Sequence, residues 1–181
     1  TEAGFDVVGF ELDDAKVAGL SAGRSHVEDI PDERLAAAIA TGRYRASSDP
    51  ASMAGFDFAV ISVPTPMNEG APDLSFIESA SELLAPHITP GATVILESTT
   101  YPGTTEELSL PILEAGSGLK GGVDFHLGYS PERIDPGNPT YRLENTPKVV
   151  SGMDAASLEK VQGFFDQLVE RTVPVSGTRE A

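Results

Sequence analysis

Short apolar runs alternate with amphipathic helical runs along almost the whole chain, and few architectures accept that order. FDVVGFE (5–11), FDFAVISV (56–63), ATVILES (92–98), VDFHLGYS (123–130), PKVVSG (147–152) and RTVPV (171–175) read as strands, with RYRAS (43–47) a weaker one. Between them lie helical runs: DAKVAGLSAG closing on Gly23, DERLAAAIATG with Pro31 in its first turn, and DLSFIESASELLAP with Asp73 as its N-cap. GTTEELSLPILEAG opens with Thr104 and has Glu107 three residues later, the spacing of a capping box. DAASLEKVQGFFDQLVE places Leu158, Val161, Phe165 and Leu168 at 3-4-3 spacing. FDFAVISV is so uniformly apolar that burial on both faces is expected. Strands alternating with helices in this way predict an α/β fold, doubly wound, with a mostly parallel sheet covered by helices on both faces.

A length of 181 residues suits one domain, or one domain and a fragment of another. No linker, internal repeat or low-complexity tract interrupts it. Asp and Glu number 28 against 12 Lys and Arg, so the chain has no basic patch to neutralise phosphates, and neither nucleic acid nor an anionic membrane is expected as a partner. The absence of cysteine excludes disulfides, thiolate metal sites and any nucleophilic thiol from this chain. No apolar run approaches the roughly 18 residues of a membrane span and no signal-peptide pattern opens the chain, so a cytoplasmic location is expected.

The first strand candidate ends in Glu11, with Asp13, Asp14 and a helix behind it. Strand, acid, helix is the second half of a dinucleotide-binding unit, in which the acid accepts hydrogen bonds from the adenosine ribose and repels a 2′-phosphate, favouring NAD. The same acid could equally be an exposed strand-end glutamate. The glycine-rich loop should lie about 20 residues earlier, and only ten residues precede Glu11. Lys16 could reach the adenosine end or stand in solvent.

Three further segments sit where strands end. Ser62–Pro66 (SVPTP) leaves a strand as a stiff lip, because two prolines fix φ and remove donors. It could brace a cofactor or serve as a rigid turn. Ser98–Thr105 gathers hydroxyls at a strand's end and a helix's start, where they can orient a water. N-capping would explain Thr104 but not Thr99 and Thr100. In YSPERIDPGN, Glu132 follows Ser-Pro at a strand end and could act as a general base, and Arg133 could pair with a phosphate or carboxylate. Asp135-Pro-Gly forces a turn. The irregular run 130–146 is too long to be an ordinary connection. His26, His87 and His126 have no nucleophile or metal partner in the pattern and read as structural.

GFELDDAKV, SVPTP, ESTTYPGTT and YSPERIDPGN with the downstream TPKVVSG occur in that order over essentially the whole chain. Together they resemble the UDP-glucose/GDP-mannose dehydrogenase family of nucleotide-sugar 6-dehydrogenases, most nearly its UDP-N-acetylglucosamine branch. The resemblance implies a Rossmann-like NAD-binding domain and oxidation of a sugar C6 alcohol to a carboxylate with two NAD in succession. By the same resemblance a cysteine traps the aldehyde, the second hydride then leaves, and water hydrolyses the thioester so formed. It also implies roles. Glu11 and Lys16 hold the adenosine ribose, and Val63, Pro64 and Thr65, with Thr99 and Thr100, line the cofactor. Thr100 positions the water, Glu132 is the hydrolytic base, and Glu132, Arg133, Ile134 and Asp135 touch the UDP-sugar. No metal is implied, and the parent is expected to be a homodimer through its central domain.

The departures set further expectations. The family's acid at position 11 is usually Asp. Its thiol, and the lysine and asparagine of its central domain, have no counterpart here. The first strand and its glycine loop are also missing, with Thr1–Gly4 reading as the tail of the helix that the loop would open. Residues 1–181 are therefore expected to be an NAD-binding domain incomplete at its N-terminus, without the central and C-terminal UDP-sugar domains. Loss of a central strand removes about five buried side chains at about 1.5–3 kcal/mol each. That is comparable to a domain's whole stability of about 5–15 kcal/mol, so this chain alone is expected to bind NAD weakly and to be inactive. Two rival readings are the NAD domain of a β-hydroxyacid or 6-phosphogluconate dehydrogenase, which would not need SPERIDPGN, and a non-catalytic nucleotide-sugar binding module.

Overall fold

The computed structural model describes every residue of 1–181 except Glu28, Glu69, Pro136 and Pro139. Its contacts divide the chain into two compact units, Thr1–Ala54 with Asp135–Thr140, and Gly55–Ile134 with Tyr141–Ala181. No change of composition announces the boundary at Ala54.

In the first unit β1 (Val7–Phe10) is joined through α1 (Asp14–Ser21) and α2 (Asp32–Ala40) to β2 (Tyr44–Ser47). The strands pair in parallel, Val7 opposite Tyr44 and Phe10 opposite Ser47, which requires a helical crossover of this kind. Asp13 caps α1, its carboxylate accepting the Ala15 N–H at 2.8 Å and the Lys16 N–H at 3.4 Å. Pro31 is the N-cap of α2, with extended backbone, and stands one residue before the first turn in which the sequence placed it. Leu20 and Leu35 are this unit's buried apolar side chains among the described residues.

In the second unit β3 (Phe58–Ile61) leads through the two-residue strands β4 (Met67–Asn68) and β5 (Ala71–Pro72) into α3 (Ser75–Leu84). Next come β6 (Thr93–Leu96), a π-helical turn (Thr105–Ser109) running into α4 (Leu110–Ser117), and β7 (His126–Tyr129). The unit closes with β8 (Lys148–Gly152), α5 (Ala155–Phe165) and β9 (Thr172–Pro174). The strand order is β3-β6-β7-β8-β9, parallel throughout except that β8 runs against β7, Tyr129 opposite Ser151 and Gly128 opposite Gly152.

The core lies around β6. Ile95 joins Val150, Val161 and Phe165 beneath α5, with Phe58 stacked on Phe164 at 4.8 Å beside them. Val94 and Leu96, on the opposite pleat, are fully buried as well, so β6 is covered on both faces. The same expectation fails for β3: only Ile61 is buried and Val60 is 38% exposed. Within the second unit's sheet β3 is first in the strand order, and among the described residues it pairs with β6. Apolar composition marks a strand; it does not guarantee cover.

Helix starts also differ in detail. α3 begins at Ser75, so Asp73 stands one residue too early to be the N-cap, yet its carboxylate accepts the Ser75 N–H at 3.0 Å. The capping box does not form. Thr104 is already helical and buried, its hydroxyl donates to the Tyr101 carbonyl at 2.8 Å, and Glu107 is paired with Arg179. α5 ends at Phe165, so Leu168 lies beyond it, although it still packs against the core cluster. The 130–146 run contains neither helix nor strand among its described residues. Within it the Asn138 N–H donates to the Asp135 carbonyl at 3.1 Å, while Pro136 of the expected Asp-Pro-Gly turn lies outside the described residues.

Asp154 is the one side-chain cap of α5, accepting the Ser157 N–H at 2.7 Å. Asp154→Ala is expected to cost about 1 kcal/mol. A thermal melt should show this as a midpoint lowered by about 2–4 °C in a chain of this size.

Candidate functional site

Glu11 follows β1 directly, and its N–H continues the ladder to the Ser47 carbonyl at 3.0 Å. One carboxylate oxygen accepts the Asp13 N–H at 3.0 Å and the other lies 3.4 Å from the Lys16 ammonium. The Asp13 N–H, with the Lys16 charge behind it, holds the carboxyl below the usual glutamate range. A carboxylate offers about four acceptor positions, and these two contacts leave room for a vicinal diol. Glu11 is thus a part-exposed anionic acceptor at a strand's carboxyl end, the chemistry that binding a ribose diol would require. The exposed Lys16 pair adds little stability; its effect is to fix where the carboxylate points.

In the second unit the Ser62–Pro66 lip leaves β3, and the Ser98 hydroxyl pins it by donating to the Val63 carbonyl at 2.7 Å. A cavity of about 430 Å³ opens there, walled by Val63, Pro64 and Thr65 on one side and by Glu97, Thr99 and Glu132 on the other. A second cavity, of about 370 Å³, is walled by Thr99, Thr100, Tyr129, Glu132 and Arg133, with Arg179 near the chain's end. Thr99 and Glu132 border both.

Behind Glu132 lies a group that sequence reasoning missed. Lys148, the first residue of β8, is 3% exposed, and its ammonium is bonded to the Glu97 carboxylate. It also lies 3.4 Å from the Pro131 carbonyl, 3.7 Å from the Glu132 carboxylate and 5.1 Å from the centroid of the Phe165 ring. Burial pushes the Glu97 carboxyl above its ordinary value, against the pull of the Lys148 charge. The reversal of β8 creates this group. From Tyr129 opposite Ser151, continued antiparallel register carries Glu132 opposite Lys148, consistent with the Ser130 hydroxyl donating to the Val149 carbonyl at 2.7 Å. In a parallel β8 the first residue would lie at the other edge of the sheet. ESTT and PKVVSG contain the two residues, but an all-parallel reading puts them at opposite ends.

Of the residues expected at a site, Thr99, Thr100, Glu132 and Arg133 come together at one cavity, and Val63, Pro64 and Thr65 at its neighbour. Ile134 is 38% exposed and lines neither. Asp135 belongs to the first unit, where its carboxylate accepts from the Asn138 amide at 3.0 Å. His126 has a buried Nδ1 without a hydrogen-bond partner, and among the described residues no cluster of histidines and acids could hold a metal. No helix among them is long and apolar enough to cross a membrane.

The sequence profile of the NAD binding domain of the UDP-glucose/GDP-mannose dehydrogenase family matches residues 1–169. Protein CapL of Staphylococcus aureus and the UDP-N-acetyl-D-glucosamine 6-dehydrogenase of Salmonella typhi are each 37% identical to the chain over 90% of its length. The UDP-D-ManNAc dehydrogenase of Pyrococcus horikoshii superposes with a TM-score of 0.92 at 30% identity over 98% of the chain. The chain spans 38% of the length of those two relatives and 43% of that solved chain. The α/β fold expected from the alternation, Rossmann-like by the resemblance, is the fold of the chain's structural neighbours.

Proposed function

The chain belongs to the UDP-glucose/GDP-mannose dehydrogenase family as its NAD-binding domain, and from that premise we propose that the protein carrying it oxidises the C6 alcohol of UDP-N-acetylglucosamine to the carboxylate. The carbon gives up two hydrides and gains one oxygen from water. NAD, when bound, takes up those hydrides. The observation that carries this reading is the position of Glu132, which borders both the cavity under the proline lip and the cavity with Thr100 and Arg133. One side suits a cofactor, the other a sugar and a water, and the carboxylate stands where they would meet.

Each residue has a task on this reading. Glu11 and Lys16 hold the adenosine ribose, and Val63–Thr65 with Thr99 brace the cofactor from the rigid lip. Arg133 holds the nucleotide sugar, and the Thr100 hydroxyl orients the water. One Glu132 oxygen already accepts the Arg133 N–H at 2.6 Å and the Ile134 N–H at 2.7 Å. The proton of the attacking water therefore goes to the other, Oε2. As it does, the water oxygen bonds to the acyl carbon, the carbon–sulfur bond breaks and a thiolate leaves. That thiol comes from outside this cysteine-free chain, which alone is inactive on this account. The choice of N-acetylglucosamine among related sugars draws on the Salmonella typhi relative and the form of the SPERIDPGN segment.

The cofactor assignment is tested at Glu11. In the full-length enzyme Glu11→Ala removes hydrogen bonds to a charged acceptor worth about 1.5–3 kcal/mol. Calorimetric titration should show NAD bound about 10- to 100-fold more weakly, with discrimination against NADP reduced. An unchanged Kd and unchanged discrimination would refute the ribose role.

A further inference from the structure

Resting on the reading of Glu132 as the hydrolytic base, we propose that Lys148, anchored by Glu97, is a positioning residue that aims the Glu132 carboxylate at the reacting water. Glu97, Lys148 and Glu132 then act as one fixed row of charges across the ends of β6, β7 and β8.

Glu132 needs such a device. It lies on a run with no regular structure and its side chain is 39% exposed, so its rotamers are not set by packing. Its first oxygen is tied to its own loop by the Arg133 and Ile134 N–H groups, and its second faces the Lys148 ammonium at 3.7 Å. Both ends of the carboxylate are thereby directed.

Lys148 is itself over-determined. An ammonium has three N–H donors, and three oxygens surround this one, from Glu97, the Pro131 carbonyl and Glu132. The Phe165 ring offers its face to the charge. Burying a lysine is costly unless it is paired and hydrogen-bonded. Glu97 alone would meet that need in a purely structural pair. The second carboxylate, on a cavity wall, is what such a pair would not require. Glu132 also presses on Glu97, adding to the effect of burial that raises the Glu97 carboxyl.

The test uses the full-length enzyme with NAD and UDP-N-acetylglucosamine, following NADH in the pre-steady-state burst and at steady state. Removing Lys148 alone would leave Glu97 buried without its partner, which can unfold a domain. The informative variant therefore removes both charges, Glu97→Gln with Lys148→Met. Because Glu97 lines the cavity under the lip, both phases are read at saturating NAD, and a positioning role predicts a burst that falls far less than steady-state hydrolysis does. Steady-state hydrolysis should be about 10- to 100-fold slower, the size of effect that a misplaced catalytic group produces. A structural role would scale burst and steady state together. Proportional loss of both, or hydrolysis at the parental rate, would overturn the proposal. Glu132→Gln run alongside separates the two claims. If it stalls hydrolysis while the double variant does not, only the positioning role fails; if it leaves hydrolysis intact, the base assignment fails first.

Discussion

Replacing Glu132 with glutamine in the full-length enzyme is expected to slow steady-state turnover by about 10²- to 10⁴-fold, the usual contribution of a positioned general base. Glutamine keeps the size of the side chain and an oxygen that can still accept the Arg133 and Ile134 N–H groups. The loop should therefore keep its course and the domain its melting temperature. What is lost is an anion able to take a proton at Oε2, and with it the attraction to Lys148. Because the base acts after both hydrides have left, a burst of two NADH per site should survive and then stall on an acylated thiol. Mass spectrometry of the stalled enzyme should find the acyl group still attached. A parental steady-state rate would remove Glu132 from the hydrolytic step.

A comparably large effect on stability is expected at Gly152, the last residue of β8. A methyl group there would stand 2.1 Å from the Leu158 nitrogen and under 3 Å from backbone atoms of both Ser157 and Leu158. These are backbone atoms in the first turn of α5 and cannot rotate aside. Gly152→Ala must lift the start of that helix off the sheet, with Val161 and Phe165 of the core cluster following. Overpacking typically costs about 1–3 kcal/mol and occasionally more; here the upper end or beyond is expected, a large share of a stability of about 5–15 kcal/mol. Gly128, which pairs with Gly152 across β7 and β8, is equally crowded, its added methyl meeting the Ser151 carbonyl at 2.3 Å. Chemical denaturation should show a lowered midpoint for Gly152→Ala with an unchanged slope. A midpoint equal to the parent's would mean that α5 is not clamped as described.

The two glycines show where sequence reading stops. Short apolar runs located the strands and the 3.6-residue period located the helices, because both signals are local to the chain. The end of β1 likewise pointed to Glu11, since an acid after a strand and before a helix needs only local order to interpret. Strand direction is not local. Nothing in PKVVSG says that β8 runs backwards, because antiparallel pairing here depends on the path of the irregular run before it. Lys148 and Glu97 were therefore invisible as partners, being 51 residues apart. The failed capping box has the same origin: Thr104 and Glu107 have the right spacing, but the tertiary contact with Arg179 takes Glu107 away. Within the second unit β3 stands first in the strand order, a position that the apolar residues around the 38% exposed Val60 do not reveal.

A four-electron oxidation of a UDP-sugar is what we propose for the protein that carries this domain. The direct measurement is the amount of NADH formed per UDP-N-acetylglucosamine consumed by the full-length enzyme, with the sugar product identified by mass. Two NADH and a C6 carboxylate are expected. One NADH with an aldehyde product, or no NADH with the sugar bound unchanged, would contradict it.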